Sequence, residues 1–292
     1  MKVTGISFIR NAIRYDYPIV EAIRSILPLC DEVVVAVGAS DDDTLALVQG
    51  IDPQKIKILP TIWDDSLREG GRVLAEETNK ALQAVSADSD WVFYIQGDEV
   101  LHEQYIPAVR KAMQDSLHQS EVDGLLFHYK HFYGSYDYVG SSYGWYRREI
   151  RVVRPGRDIY SYKDAQGFRK GSNRKLSVKL IDAYIYHYGW VKSPESMKLK
   201  EKNFHKYWHD DQWIAQNVAP GEAFDYSGID ALERFQGSHP AVMQERIDRI
   251  NWAFSHDMSY NRASFKDKIK KFVEKLTGGY IIGEYRNYKL LK

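Results

Sequence analysis

The sequence is short of several things, and each shortage excludes a class of chemistry. It holds one cysteine, Cys30, so neither an intramolecular disulfide nor a thiolate metal cluster can form. Cys30 follows the apolar run Ile26-Leu27-Pro28-Leu29 and reads as a packed residue, not a nucleophile. Net charge is absent: 40 basic residues balance 40 acidic ones. A whole-chain attraction to nucleic acid is therefore not expected. No run reaches the ~18 to 20 apolar residues that a membrane helix needs. Residues 1–10 are too short and too interrupted for a signal peptide and read as a strand, as in a cytoplasmic protein. There is no GxxxxGK[ST] loop, no GxSxG elbow, no HExxH, and no GxGxxG opening a helix after the first strand. Phosphate-loop enzymes, serine hydrolases, zinc proteases and the usual dinucleotide dehydrogenases are disfavoured accordingly.

What is present suits a globular chain with a sizeable core. Of 292 residues, 44% are hydrophobic and 27% charged, enough for one large domain or a domain with an appendage. Aromatic residues reach 13% and crowd between Phe127 and Trp213. Such rings suit stacking on sugars or bases, and core packing equally.

The first hundred residues alternate. Val3 to Ile9 reads as a strand, and the stripe Ile19, Val20, Ile23, Ile26 and Leu27 as a helix closed by Pro28. Residues 32–37 and 55–59 are further strands, with a short helix near 44–49 between them. Gly70-Gly71 leads into a long helical pattern, and Trp91-Val92-Phe93-Tyr94-Ile95 is a fourth, buried strand. A β-α-β-α-β-α-β order implies a parallel sheet with helices on both faces. Ligands of such sheets bind at the carboxyl edge of the strands. That edge collects Arg10-Asn11, the loop from Gly38 to Asp43, the region of Trp63, and Gln96-Gly97-Asp98-Glu99.

Beyond Leu101 the pattern predicts a helix over 104–117, a strand over 123–129, and an aromatic loop or irregular hairpin over 130–145. Residues 147–154 read as a strand with one charged, solvated face, 159–171 as a loop, and 176–188 as two strand-like runs. From Pro194 the chain reads as helical, over 195–213, 245–254 and a basic amphipathic segment 266–276. We place a boundary near Ser193, between a catalytic domain (1–192) and a helical C-terminal extension (193–292).

The acid pair Asp98-Glu99 on the turn after the fourth strand is the strongest chemical signal. Two carboxylates there repel unless a cation compensates, and magnesium or manganese holding a diphosphate does so. The bland alternative is a helix N-terminal acid pair. Asp41, Asp42 and Asp43 suit hydrogen bonds to a ribose or a base, or helix capping. His187, in Tyr186-His187-Tyr188-Gly189-Trp190, is a satisfied structural residue or a further metal ligand. Arg147, Arg148, Arg151 and Arg154 offer phosphate clamps or a solvated face.

In their order these pieces resemble the family 2 glycosyltransferases of the GT-A fold. The residues that carry the resemblance are Ser7-Phe8-Ile9-Arg10-Asn11, Gly38-Ala39-Ser40-Asp41-Asp42-Asp43-Thr44, the glycine-led helix from Gly70-Gly71-Arg72, and Gln96-Gly97-Asp98-Glu99 in the place of the DxD metal motif. It covers residues 1–192. It implies a nucleotide-diphospho-sugar transferase sheet, a Rossmann-like α/β/α sandwich, and inverting transfer of a sugar from a nucleotide donor, here a UDP-sugar, to a saccharide or lipid-linked acceptor in bacterial-type glycan synthesis.

By the same resemblance Phe8, Ile9, Arg10, Trp63 and Gly71 line the nucleotide site, and Asp42 or Asp43 meets the base or ribose. Gln96, Gly97 and Asp98 meet the diphosphate. Asp98, Glu99 and His187 bind Mn2+ or Mg2+. Gln96 replaces the first acid of the motif, and no Glu-Asp base motif is evident; Glu149 and Asp164 both remain as the catalytic base. The alternatives are a non-catalytic carbohydrate-binding or scaffold protein on this fold, or a sugar-nucleotide nucleotidyltransferase, which normally has a glycine- and lysine-rich loop where Arg10-Asn11-Ala12 stands. The basic segment 265–276 either lies on the cytoplasmic membrane surface or packs as an ordinary surface helix or dimer contact.

Overall fold

Continuous apolar runs rich in β-branched residues build the strands of the first half of the molecule. β1 (Val3–Ile9) and β2 (Glu32–Gly38) are buried along their whole length, with α1 (Ile19–Ile26) between them. α2 (Thr44–Gln49) leads to β3 (Ile56–Thr61), and α3 (Arg72–Gln83) to β4 (Trp91–Tyr94). The four strands pair in parallel in the order β3-β2-β1-β4, which is the β-α-β-α-β-α-β half expected from the pattern. Successive side chains of a strand point to opposite faces. Val33, Val35 and Val37 therefore pack with Ile19, Ile23 and Ile26 of α1, while Val34 and Ala36 pack with Val73 and Ala81 of α3. Each large apolar side chain buried in this way contributes about 1.5–3 kcal/mol. The structure, a computed structural model, describes residues 1–218, 221–229, 231–258, 269–270, 272–273, 276 and 286–291.

The second half is mixed. After β5 (Glu99–Leu101) and α4 (Ile106–Asp115) come β6 (Gly124–Tyr133), β7 (Tyr138–Gly140) and β8 (Arg148–Val153). β8 lies antiparallel between β4 and β6. β9 (Ile159–Tyr162), β10 (Gly167–Lys170) and β11 (Arg174–Lys175) form a small antiparallel sheet. β12 (Ser177–Trp190) runs parallel to β6 and antiparallel to β5. α5 (Pro194–His205) and α6 (Asp211–Asn217) follow. Then come β13 (Leu232–Arg234), α7 (Gln244–Asp248) and β14 (Lys289–Leu290). β13 extends the large sheet through β7, and β14 joins β12. The architecture is thus an α/β sheet, parallel in its first half as the sequence pattern implies and mixed in its second.

Several expectations are corrected. The loop at 159–171 is a β9–β10 hairpin, because Tyr160 and Tyr162 alternate with Ile159 and Ser161 and pair with Gly167 to Lys170. The two runs in 176–188 are one strand, irregular between Leu180 and Tyr184. The helix expected over 195–213 breaks after His205, and Asp210 caps α6 by accepting from the Trp213 amide at 2.7 Å. The charged face of β8 is not solvated: Arg151 is 1% exposed. Only residues 269–270, 272–273 and 276 of the basic segment are described, so its membrane reading lies outside the described residues. Among the described residues, no helix is long and apolar enough to cross a membrane.

Candidate functional site

Three loops at the carboxyl edge of the parallel strands meet α5 around a cavity of about 550 Å³. Phe8, Ile9 and Arg10 leave β1, Trp63 follows β3, and Gln96, Gly97 and Asp98 follow β4. All seven line the cavity, with Asp164 and His187. The cavity adjoins a polar recess of about 350 Å³ that shares Arg10, Tyr15, Asn203 and Tyr207 and adds Asp41, Asp64 and Asp65. Trp63 lies against Phe8 and Tyr207, at 5.9 and 5.6 Å between ring centroids. Arg10 donates to Asp65 at 2.7 Å. Arg10 Nε and Trp63 Nε1 are buried with no partner among the described residues, a costly state unless a ligand supplies an acceptor.

Asp98 is held at the other end. Lys200 Nζ, from α5, donates to Asp98 Oδ2 at 3.0 Å and to the Gly189 carbonyl at 2.8 Å. His187 Nε2 lies 3.7 Å from the same oxygen. Burial would raise the carboxyl, but the Lys200 ammonium and the His187 ring outweigh it and hold Asp98 well below the usual carboxylate range. Gly189 keeps this corner open: a Cβ there would fall 2.6 Å from Asp98 Oδ2 and 2.7 Å from His187 Nε2.

The orientation of the His187 ring follows from its neighbours. Burial, and then His187 beside it, pushes His131 well below its ordinary value, so it is neutral. His131 Nε2 meets the Tyr146 carbonyl at 2.7 Å. A carbonyl only accepts, so that nitrogen carries the proton. His131 Nδ1 then accepts from His187 Nδ1 at 3.0 Å. With Nδ1 engaged as this donor, Nε2 is the His187 ring nitrogen left facing Asp98. A partner on one ring nitrogen that fixes the lone pair on the other is the usual support of a metal-binding histidine.

Glu99 stands elsewhere. It is fully buried and accepts from Arg151 Nε at 2.8 Å, Arg151 Nη2 at 2.7 Å, Tyr129 Oη at 2.7 Å and the Gln96 amide at 3.1 Å. It does not line the cavity. The Gln96 side chain is engaged as well, its Nε2 donating to Tyr94 Oη at 2.9 Å and to the Ala165 carbonyl at 3.3 Å. A carboxylate at this position has no N–H to offer that carbonyl, so the amide ties the Asp98 turn to the Asp164 loop.

Asp164 lies on that loop between Lys163 at φ 55° and Ala165 at φ 61°, both left-handed. Side chains with a Cβ rarely adopt this backbone, and its cost concentrates at functional sites. Burial raises the Asp164 carboxyl above its ordinary value. Gly71, at φ 68°, lies close beneath it: a Cβ on Gly71 would come within 2.7 Å of Asp164 Cβ. Gly71 thus packs behind the loop and is not among the residues lining the cavity.

The remaining candidates lie apart. Glu149 is buried on β8 outside the cavity, its carboxyl pushed up to about 8 by burial. Asp42 clasps the loops, accepting from the Arg14 and Thr44 amides at 2.8 and 3.0 Å. Asp43 is the N-cap residue of α2. Neither lines the cavity. Sequence reasoning missed Lys200, Tyr207, Tyr17 and His131. Lys198, Lys200 and Lys202 alternate in the sequence, and only the docking of α5 selects which one faces Asp98.

Among the described residues, no group of three or more His, Cys, Asp or Glu side chains gathers as a metal cluster. Asp98 Oδ2 and His187 Nε2 are, among the described residues, the pair of donors that converge beside the space left by Gly189. The carboxylate oxygen suits Mn2+ or Mg2+, provided that substrate phosphates complete the shell, and the imidazole nitrogen favours Mn2+, the softer of the two.

No protein-family model matches the chain, and no curated protein matches it in sequence. Solved structures do match in shape. S. aureus TarS 1-349 in complex with UDP is 18% identical over 69% of this chain and 64% of that one, with a TM-score of 0.43. S. aureus TarS is 17% identical over 70% of this chain and 39% of that one, with a TM-score of 0.42. Glucosyl-3-phosphoglycerate synthase from Mycobacterium tuberculosis, in complex with Mn2+, UDP and phosphoglyceric acid, is 21% identical over 45% of this chain and 43% of that one, with a TM-score of 0.29. The chain therefore spans less than two thirds of the length of each of these proteins.

Proposed function

We propose that the protein transfers a sugar, with inversion, from a nucleotide-diphosphate donor, a UDP-sugar, to a hydroxyl of a saccharide or lipid-linked acceptor. One observation carries the reading. A single cavity presents Asp98 and His187 over an open corner, Asp164 on a strained loop, and the unpartnered donors of Arg10 and Trp63.

Phe8, Trp63 and Tyr207 offer rings for the base, and Arg10 with Trp63 offers N–H groups for its polar edge or for phosphate. Asp98 and His187 would hold Mn2+ or Mg2+ together with the diphosphate, and the cation when bound supplies positive charge against the departing phosphate. Asp164, raised by burial, takes the proton of the acceptor hydroxyl. That oxygen bonds to the anomeric carbon from the face opposite the leaving group. The bond from the anomeric carbon to the phosphate oxygen breaks, and its electron pair leaves with the nucleoside diphosphate. Trp190, Phe204 and Phe224, which line the same cavity, offer apolar faces for a sugar ring. Glu149 lacks access to this space, so Asp164 is preferred as the base.

Release of nucleoside diphosphate from a panel of sugar nucleotides, with and without manganese, tests the proposal. Turnover with at least one donor is expected. Asp164→Asn should lower kcat about 10²- to 10⁴-fold, the usual contribution of a general base, with donor binding retained. Asp98→Asn should lower donor binding and turnover together. Donor binding without turnover in any condition would instead favour a non-catalytic sugar-binding protein.

A further inference from the structure

We propose that Lys200 is a resident counter-cation of Asp98 that competes with the divalent metal, so that metal and nucleotide diphosphate must bind together. The inference rests on the reading of Asp98 and His187 as the metal-holding pair. It adds a residue from α5, in the segment that the sequence pattern sets apart from the catalytic half.

Lys200 Nζ and His187 Nε2 converge on one oxygen, Asp98 Oδ2, at 3.0 and 3.7 Å. A metal bound by that oxygen and that nitrogen would stand beside the ammonium. Like charges so close in a site of low exposure repel strongly, and the Lys200 and Asp98 side chains are each 12% exposed. The ammonium must therefore leave Oδ2 when the metal arrives. Its second acceptor, the Gly189 carbonyl, is neutral and cannot replace the lost carboxylate. A diphosphate in the cavity can, because Lys200 lines that cavity and an ammonium with three donors binds phosphate as a compact point charge. The Tyr17 ring, 5.0 Å from Nζ, flanks the group. Metal alone must displace Lys200 without recompense. Metal with diphosphate gives every charge a partner. Affinities coupled in this way are reciprocal.

The test uses the full chain and Mn2+ as the probe, with free Mn2+ measured by electron paramagnetic resonance in the presence and absence of UDP. In the wild type, Mn2+ alone should bind weakly, and UDP should tighten it by about tenfold or more, within the usual range of coupling. Lys200→Met should bind Mn2+ alone about tenfold more tightly than the wild type, and UDP should then add less than about threefold. Lys200→Arg, which keeps the charge, should behave as the wild type, and matching thermal melts of all three show that the fold is kept. Equal or weaker binding of Mn2+ alone by Lys200→Met overturns the inference. If Mn2+ binding is then still abolished by Asp98→Asn, the metal site stands and only the role of Lys200 falls. If Mn2+ binds to none of the variants, both fall.

Discussion

Single residues in this protein are set by what their neighbours can offer, and Glu149 shows the effect most sharply. It is buried, its Oε2 has no partner among the described residues, and the unpartnered Asn287 Nδ2 lies beside the same glycine, Gly167. Burial is the main reason its carboxyl rises from 4.5 to about 8, with Glu99 and Asp164 adding to it against Arg151. The folded protein therefore keeps a proton that the unfolded chain loses above about pH 4.5. This contribution to stability is full below that value and is lost as pH rises through about 8. Glu149→Gln should gain on the wild type between pH 5 and pH 8, by on the order of a few kcal/mol. Denaturant midpoints at the two pH values check this, and a difference that stays constant with pH would sink it. Asp98 shows the opposite balance, since Lys200 and His187 more than offset its burial.

At the scale of elements, the turn after β4 is braced from below. Glu99 opens β5 and pairs with Arg151 of β8, and the guanidinium lies 5.0 and 5.3 Å from the Tyr94 and Tyr129 ring centroids. Truncating one partner of a buried ion pair leaves an uncompensated charge and typically costs about 3–5 kcal/mol. Glu99→Ala should therefore lower stability by about that amount, read from chemical denaturation. The double variant Glu99→Leu with Arg151→Met should recover much of it. A Glu99→Ala protein of wild-type stability would show that the pair holds nothing in place. The succession of strands and helices in the first half was legible because strands covered on both faces read as continuous apolar runs. The turn at Gln96 to Glu99 was legible as an abrupt end to an apolar run. The division of labour between Asp98 and Glu99 was not, because it depends on Arg151, 52 residues later. Nor was α5 legible as a wall of the cavity, since its alternating lysines fix no facing side.

At the scale of the whole molecule, the later part of the chain closes over the early part. Arg246 of α7 donates to Asp16 at 2.7 Å and to Glu21 at 3.1 Å. Lys192 reaches the Asp16 carbonyl, and β13 and β14 complete the sheet begun by β6 and β12. Residues on both sides of Ser193 build the cavity. This closure bears on the solitary thiol. Cys30 is 3% exposed, beneath Gly5 and beside Ile26 of α1, and burial raises its thiol well above the ordinary value. Thiol reagents need the thiolate and a path to it. Labelling of the native protein should therefore be slow and should speed up steeply as the core opens in denaturant, giving a single chemical clock for opening of the β1–α1–β2 unit. Fast labelling without denaturant would show that this unit opens on its own. With the native thiol silent, a cysteine introduced on the solvent face of α5 would be the one reactive site, and a dye there could follow that helix as ligand enters.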